Sequence, residues 1–237
     1  MWLVAEYEAS ALFTLKPATA TASGGKTLLV PTPFAIKMAL LDAACRLEGQ
    51  AAAEKAWEWL GGLTVALRPA PAVVVNNTFT KVLKPRRGEA RPGSKHAGYF
   101  QQTINYREYA HLAGTFAIAL ELTADADADR LARWLLHINY LGKRGSFIQL
   151  QQAPQIVDEL PEGFITVDGR LGGFSLGGVL TQLDDVGEGL TFERADIYSD
   201  KSIKLGEHRV LRHVALPYRL VASSRGYSHY ELVRETE

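Results

Sequence analysis

The stretch LLVPTPFAIKMALLDAACRLEG, residues 28–49, decides how the chain is built. Thr32 is a residue type that caps helix N-termini, Pro33 suits the first helical turn, and Phe34, Met38, Leu41 and Cys45 recur at spacings of four, three and four. The pattern predicts a helix ending near Gly49. What precedes it is different in kind. WLVAEYEASALFTL, residues 2–15, is β-prone without helical periodicity and predicts a first strand, which leaves into the polar, small-residue loop KPATATASGGKT at 16–27.

Outward from the helix the two periods alternate. AAAEKAWEWLGG (51–62) predicts a second short helix, and LTVALRPAPAVVVNNTF (63–79) one or two β segments interrupted by Pro69 and Pro71. KPRRGEARPGSKHAG (84–98) has almost no apolar content, while its flanks NNTFTKVL and YFQQTINYREYAHL are β-prone and aromatic. A hairpin arm with a basic tip is expected there, over about residues 76–109. GTFAIALELT (114–123) reads as a strand, and ADADADRLARWLLHINYL (124–141) as an acid-started helix with Leu131, Trp134, Leu135 and Ile138 on one face. The order resembles a split β-α-β arrangement, an α+β class. Beyond Gly142 short strands are expected at FIQL, GFITVD, GGFSLGG, LTFERADIY and RVLRHVALPYRLVA, with an acidic loop at DDVGEG, so residues 151–237 read as a smaller, mainly β region packed on residues 1–150.

With 237 residues, 47% hydrophobic and 22% charged, the chain falls outside the disordered and fibrous classes. No apolar run approaches the roughly 20 residues of a membrane-spanning helix, and MWLVAEYEAS has no basic start or cleavage site, so no membrane association and a cytoplasmic location are expected. One cysteine and six scattered histidines leave disulfides and a cysteine-rich zinc site out, and no metal or cofactor is expected. His208 and His213, five apart in a strand, would face opposite ways, which is wrong for one metal.

Net charge is zero, but the charges are segregated. Residues 76–112 carry seven cations against two anions, and residues 201–225 carry six against one, each a balance of +5. The acids fall at 121–129, 158–168 and 184–193. Such a protein can hold a polyanion on one face and a protein neighbour on another. SGGKT (23–27) lacks the first glycine and the strand-to-helix setting of a phosphate-binding loop that hydrolyses nucleotides. Gly24 and Gly25 still allow close approach of a phosphate, with Lys26 supplying charge. GRLGGFSLGG (169–178) lacks dinucleotide-binding register and reads as a glycine-permitted hairpin. No G-x-S-x-G occurs, and Cys45 on an apolar helix face reads as an inert thiol.

Two constellations carry nucleic-acid chemistry. In the arm, Lys81, Lys84, Arg86, Arg87 and Arg107 can neutralise phosphates while Phe79, Tyr99, Phe100, Tyr106 and Tyr109 offer stacking surfaces, although aromatics flanking a strand are also ordinary core. In INYLGKRGSF (138–147) a helix is expected to run out at Gly142 into Lys143 and Arg144, a turn that can present two cations to one phosphate or simply answer the helix dipole.

These residues resemble a family. The first strand, the Gly/Ser-rich loop and LLVPTPFAIKMALLDAA look like the start of the Cas-five family of CRISPR-associated RAMP proteins, with its L-P-x-P-x-x-x-x-x-A-L approach to the first helix. YLGKRGSF resembles that family's hydrophobic-Leu-Gly-basic-basic turn, and NYREYAHLAGTFAIAL its strand after the basic arm, so the likeness spans about residues 1–150. It implies a ferredoxin-like (RRM-like) domain with a basic β-hairpin thumb, acting in a type I Cascade complex of antiviral defence. The partners implied are the crRNA 5′ handle, the repeated backbone subunit, the large subunit and, indirectly, target DNA. The RNA-binding residues expected are Lys26, Lys81, Lys84, Arg86, Arg87, Arg107, Lys143 and Arg144, with no catalytic role. The alternative is a metal-independent endoribonuclease processing the repeat RNA, for which Lys95, His96 and Tyr99 are the residue types that could act as cation, base and acid.

Overall fold

The computed structural model describes residues 1–20, 24–88, 93, 98–167, 178–196 and 198–233. In chain order its elements are β1 (Trp2–Ala9), β2 (Gly24–Gly25), α1 (Pro33–Glu48), α2 (Gln50–Leu60), β3 (Val65–Arg68), β4 (Ala72–Pro85), β5 (Phe100–Ala113), β6 (Thr115–Glu121), α3 (Ala128–Leu136), β7 (Ile148–Leu150), β8 (Gln155–Val157), β9 (Ile165–Thr166), β10 (Val179–Val186), α4 (Phe192–Ala195), β11 (Arg209–Leu216), β12 (Tyr218–Ser223) and β13 (Tyr227–Leu232).

The first sheet runs β7-β1-β6-β3-β9, with β8 also on β1, and every pairing is antiparallel. Following the chain through β1, α1–α2, β3, β6, α3 and β7, this is ferredoxin-like connectivity, and the fold class is α+β. Alternation in β1 puts Leu3, Ala5 and Tyr7 on the helix side, opposite Leu120, Ile118 and Phe116 of β6. Tyr7 donates its hydroxyl to Leu135 O at the end of α3, 2.8 Å away, which pins that helix to the central strand. Thr32 caps α1 as expected, its hydroxyl accepting from Ala35 N at 3.1 Å, and Gly49 ends the helix at φ +85°.

The second sheet, β12-β13-β4-β5-β2, is built on the arm. β4 and β5 pair without a break from Ala72↔Ala113 to Pro85↔Phe100. Val73 and Val75, opposite Leu112 and Ala110, bury the base of one arm face in the core, and beyond Asn77 the hairpin stands clear of it.

Three expectations need correction. The first strand stops at Ala9, because Phe13 leaves the first sheet and exchanges two 2.7 Å hydrogen bonds with Ala110 of the second. LTFERADIY holds a helical turn, α4, where Asp196 N donates to Phe192 O and Ala195 is buried. Asp184 and Asp185 are not loop acids; they sit buried in β10 against Arg209 and Lys37.

Candidate nucleic-acid interface

RRM-type proteins stack bases on the open face of the ferredoxin-like sheet. Here the middle of that face carries Val4, Glu6, Ala66, Arg68, Ala117 and Ala119, and the three alanines are fully buried. Glu6 is engaged by Arg68 at 2.5 Å and by the Thr115 hydroxyl at 2.6 Å. The cations expected to bind RNA lie elsewhere.

Four segments converge beside the start of α1. Leu15 N donates to the Thr27 hydroxyl at 3.0 Å, Thr27 N donates to Glu108 Oε2 at 3.0 Å, and Leu28 N returns to Leu15 O at 2.8 Å. β2 pairs in parallel with Tyr106 and Arg107. A Cβ on Gly25 would lie 3.0 Å from the Arg107 stem, so glycine permits that approach. On the other side of Leu15 stands the 140–147 turn, where Tyr140 bridges Phe147, Leu141 N donates to Ser146 O, and Ser146 N donates to Lys143 O at 3.0 Å. Gly142 takes φ +68°, and a Cβ there would lie 2.8 Å from Leu15 Cδ2.

This places Lys16, Lys26, Arg107 and Lys143 in one neighbourhood. Lys16, Arg107 and Lys143 line the mouth of a groove and have no ion-pair partner among the described residues. Lys26 pairs with Glu108 at 2.7 Å, so part of its charge is answered within the chain. Sequence reasoning missed Lys16. Its only signal was proximity to the glycine loop. Lys143 and Arg144 are both exposed, at the tip of this tight turn and not at a helix end, since α3 stops at Leu136. The helix-dipole explanation of their charge therefore falls.

The arm divides its residues between two faces. Phe79↔Tyr106, Lys81↔Ile104, Leu83↔Gln102 and Pro85↔Phe100 share one, whereas Thr78↔Arg107, Thr80↔Asn105 and Lys84↔Gln101 share the other. The first face is apolar and solvent-exposed: Phe79 and Tyr106 meet edge to face at 5.2 Å, and Leu83, Phe100 and Ile104 are each more than half exposed. Lys84 and Arg107 lie on the second, with Lys81 on the first. Arg86 N donates to Tyr99 O at 2.9 Å, and Arg87 is exposed. Tyr109, on the cationic face, is half-buried. Of the alternative catalytic set, Tyr99 is 91% exposed, and Lys95 and His96 lie outside the described residues. Among the described residues no cluster of His, Cys, Asp and Glu could hold a metal, and no helix is long and apolar enough to cross a membrane.

No family model and no curated protein matches the chain. Among the solved structures that resemble it, these three do so over most of their length. A CRISPR RNA-guided surveillance complex chain is 18% identical with a TM-score of 0.49, covering 91% of this chain and 90% of that one. A CRISPR protein from Archaeoglobus fulgidus is 12% identical with a TM-score of 0.41, covering 99% and 92%. A Cas protein is 19% identical with a TM-score of 0.38, covering 92% and 95%. Likeness of this degree says nothing of what the chain binds, which has to be read from its own residues.

Proposed function

We propose that this chain is a non-catalytic crRNA-binding subunit of a type I Cascade effector, of the Cas-five kind, that grips the 5′ handle and caps the row of repeated backbone subunits. One observation carries the RNA reading: Arg107 from the arm and Lys143 from the basic turn, far apart in sequence, stand with Lys16 around a single mouth, all three without an internal counter-charge among the described residues. A flexible polyanion is the partner that such a set answers, because each neutralised phosphate releases counterions. The glycine loop lets backbone come close to phosphate, and the tight turn holds Lys143 at little further entropic cost. The stretches that resemble the Cas-five family include the segments that carry these three cations.

The deciding experiment is purification from the host, followed by sizing and 5′-end mapping of the bound nucleic acid. One RNA of defined length, beginning with repeat sequence and accompanied by several other subunits, is expected. Chain that leaves the cell free of RNA sinks the reading. Incubated with a repeat RNA hairpin, with or without Mg²⁺, the purified chain is expected to leave it intact. Cleavage at the 3′ base of the hairpin that His96→Ala abolishes would establish the endoribonuclease instead.

A further inference from the structure

α1 is apolar on two sides. Ile36, Leu40, Ala43 and Ala44 fill the core, whereas Phe34, Met38 and Cys45 form a second, half-buried stripe. That stripe floors a groove of about 840 Å³ along the helix, whose other wall includes Phe192, Ala195 and Tyr198. At 1.5 Å rise per residue, the stripe from Phe34 to Cys45 runs about 16 Å along the helix. With Leu41, the stripe keeps spacings of four, three and four, those of a seam between packed helices; the Arg209 guanidinium lies 4.3 Å over the Phe34 ring, while Met38 and Cys45 line the groove.

The charges along the groove differ from those at its mouth. Arg46 is held by Asp42 at 2.9 Å and Arg209 by Asp184 at 2.5 Å, so these pairs cancel. Asp196 keeps a carboxylate with no cationic partner among the described residues; it receives only Tyr198 N at 2.9 Å and a long bond from Gln50. A polyanion running along this floor would meet carbon, cancelled pairs and one uncompensated carboxylate. An amphipathic helix would bury its apolar edge on the stripe and set a basic side chain beside Asp196.

We infer that the groove along α1 receives an amphipathic helix of a protein partner, with apolar residues at i, i+3 or i+4, and i+7 against Phe34, Met38 and Cys45, and with a lysine or arginine facing Asp196. This goes beyond the RNA reading and does not need it, since the three unpaired cations come from segments packed beside the start of α1, with Gly142 against Ala35, whereas Asp196 is bonded to Gln50 beyond its end.

The test places a photo-cross-linking phenylalanine at Met38 of the full chain in its host, with Leu180, exposed on β10, as the control position. The cross-linked segment is identified by mass spectrometry, synthesised with a fluorophore and titrated against the purified chain. The expected segment is cross-linked from position 38 and not from 180, has helix-spaced apolar residues with a basic flank, and binds the native chain. Met38→Glu is expected to weaken it at least tenfold, and so is Tyr198→Glu, a change at a 91% exposed side chain that cannot unfold the protein. Affinity for a 12-nucleotide oligouridine should move less than twofold in both variants. The inference is overturned if position 38 captures only nucleic acid, captures nothing, or captures a segment without that periodicity. It is equally overturned if the synthetic segment binds both variants as it binds the native chain.

Discussion

Lys37 Nζ and Asp185 Oδ1 stand 2.7 Å apart between α1 and β10, with both side chains almost wholly removed from solvent. Lys37 also donates to Gly61 O at 2.9 Å, and Asp185 accepts from Val186 N at 2.7 Å. Burial pulls the Lys37 ammonium below its ordinary range, an effect that the neighbouring Asp185 opposes. β10 pairs antiparallel with β11, and the ion pair fastens this two-stranded hairpin, closed by the long connection through α4, to the helix that floors the groove. Removing one partner leaves a buried charge uncompensated, so Asp185→Ala should lower stability by about 3–5 kcal/mol. Replacing both residues by apolar ones of similar volume should recover most of that loss. Urea unfolding of the two variants checks it; a double variant no better than the single would mean that the pair itself holds the hairpin.

Glu48, at the end of α1, accepts from Arg130, Arg133 and the Trp134 indole, at 2.5, 2.5 and 2.9 Å. Burial alone would raise its pKa, but these three hydrogen bonds and the Arg130 charge overcome it and bring the carboxyl from 4.5 down to about 2. A carboxyl depressed in the folded state contributes stability that is complete above its unfolded pKa and lost as pH falls through the folded one. The native chain should therefore weaken between about pH 4.5 and pH 2. Glu48→Gln should be less stable at pH 6 and lose less over that window. Parallel acid titrations of the two proteins would refute the assignment.

Much of the fold was legible because its signals are local. Thr32, Pro33 and Gly49 mark α1 by effects that act within one turn, and the polar run at 84–98 flanked by β-prone residues marks the arm. Long-range pairing was not legible. β13 joins β4 through Tyr227↔Asn76 to Glu231↔Ala72, a pairing across some 150 residues that no window of sequence contains. The α1 stripe was seen, but periodicity could not say that Ile36 and Leu40 take the core while Phe34 and Met38 face a groove. Asp184 and Asp185 looked like solvated acids because their partners, Arg209 and Lys37, come from distant elements. At the candidate site the same division holds: arm and turn cations were named from composition, and their gathering at one groove follows from the Leu15–Thr27–Glu108 hydrogen bonds and the bond from Thr14 N to the Ser146 hydroxyl.

The two faces of the arm make a distinction among its lysines. Lys84 shares a face with Arg107, and Lys81 lies across the hairpin beside Ile104. Each cation neutralising a single-strand phosphate adds about 0.7 to the slope of log K against log salt. Lys84→Ala with Arg107→Ala should flatten that slope by about 1.4 for a handle-length RNA, and Lys81→Ala should leave it unchanged. Fluorescence anisotropy between 50 and 300 mM salt (roughly the range over which such slopes are read) measures both. Equal flattening by Lys81→Ala would place RNA on the apolar face and reverse the assignment.

The position of Lys143 depends on the glycine before it. Gly142 holds φ +68°, and a Cβ there would come within 2.8 Å of Leu15 Cδ2, so Gly142→Ala adds a collision with a buried leucine to the backbone strain of about 1–2 kcal/mol. Gly49 is the matched control, because it also has a positive φ, +85°, but nothing within 4 Å of the added carbon. Both substitutions should lower the melting temperature. Only Gly142→Ala should weaken single-stranded RNA binding, since Leu15 can relax only by moving the turn and carrying the Lys143 ammonium away from Lys16 and Arg107. Melting curves and RNA titrations on the two variants separate the effects. Unchanged RNA affinity in a folded Gly142→Ala protein would show that the turn does not set the cation's place, and would remove Lys143 from the mouth.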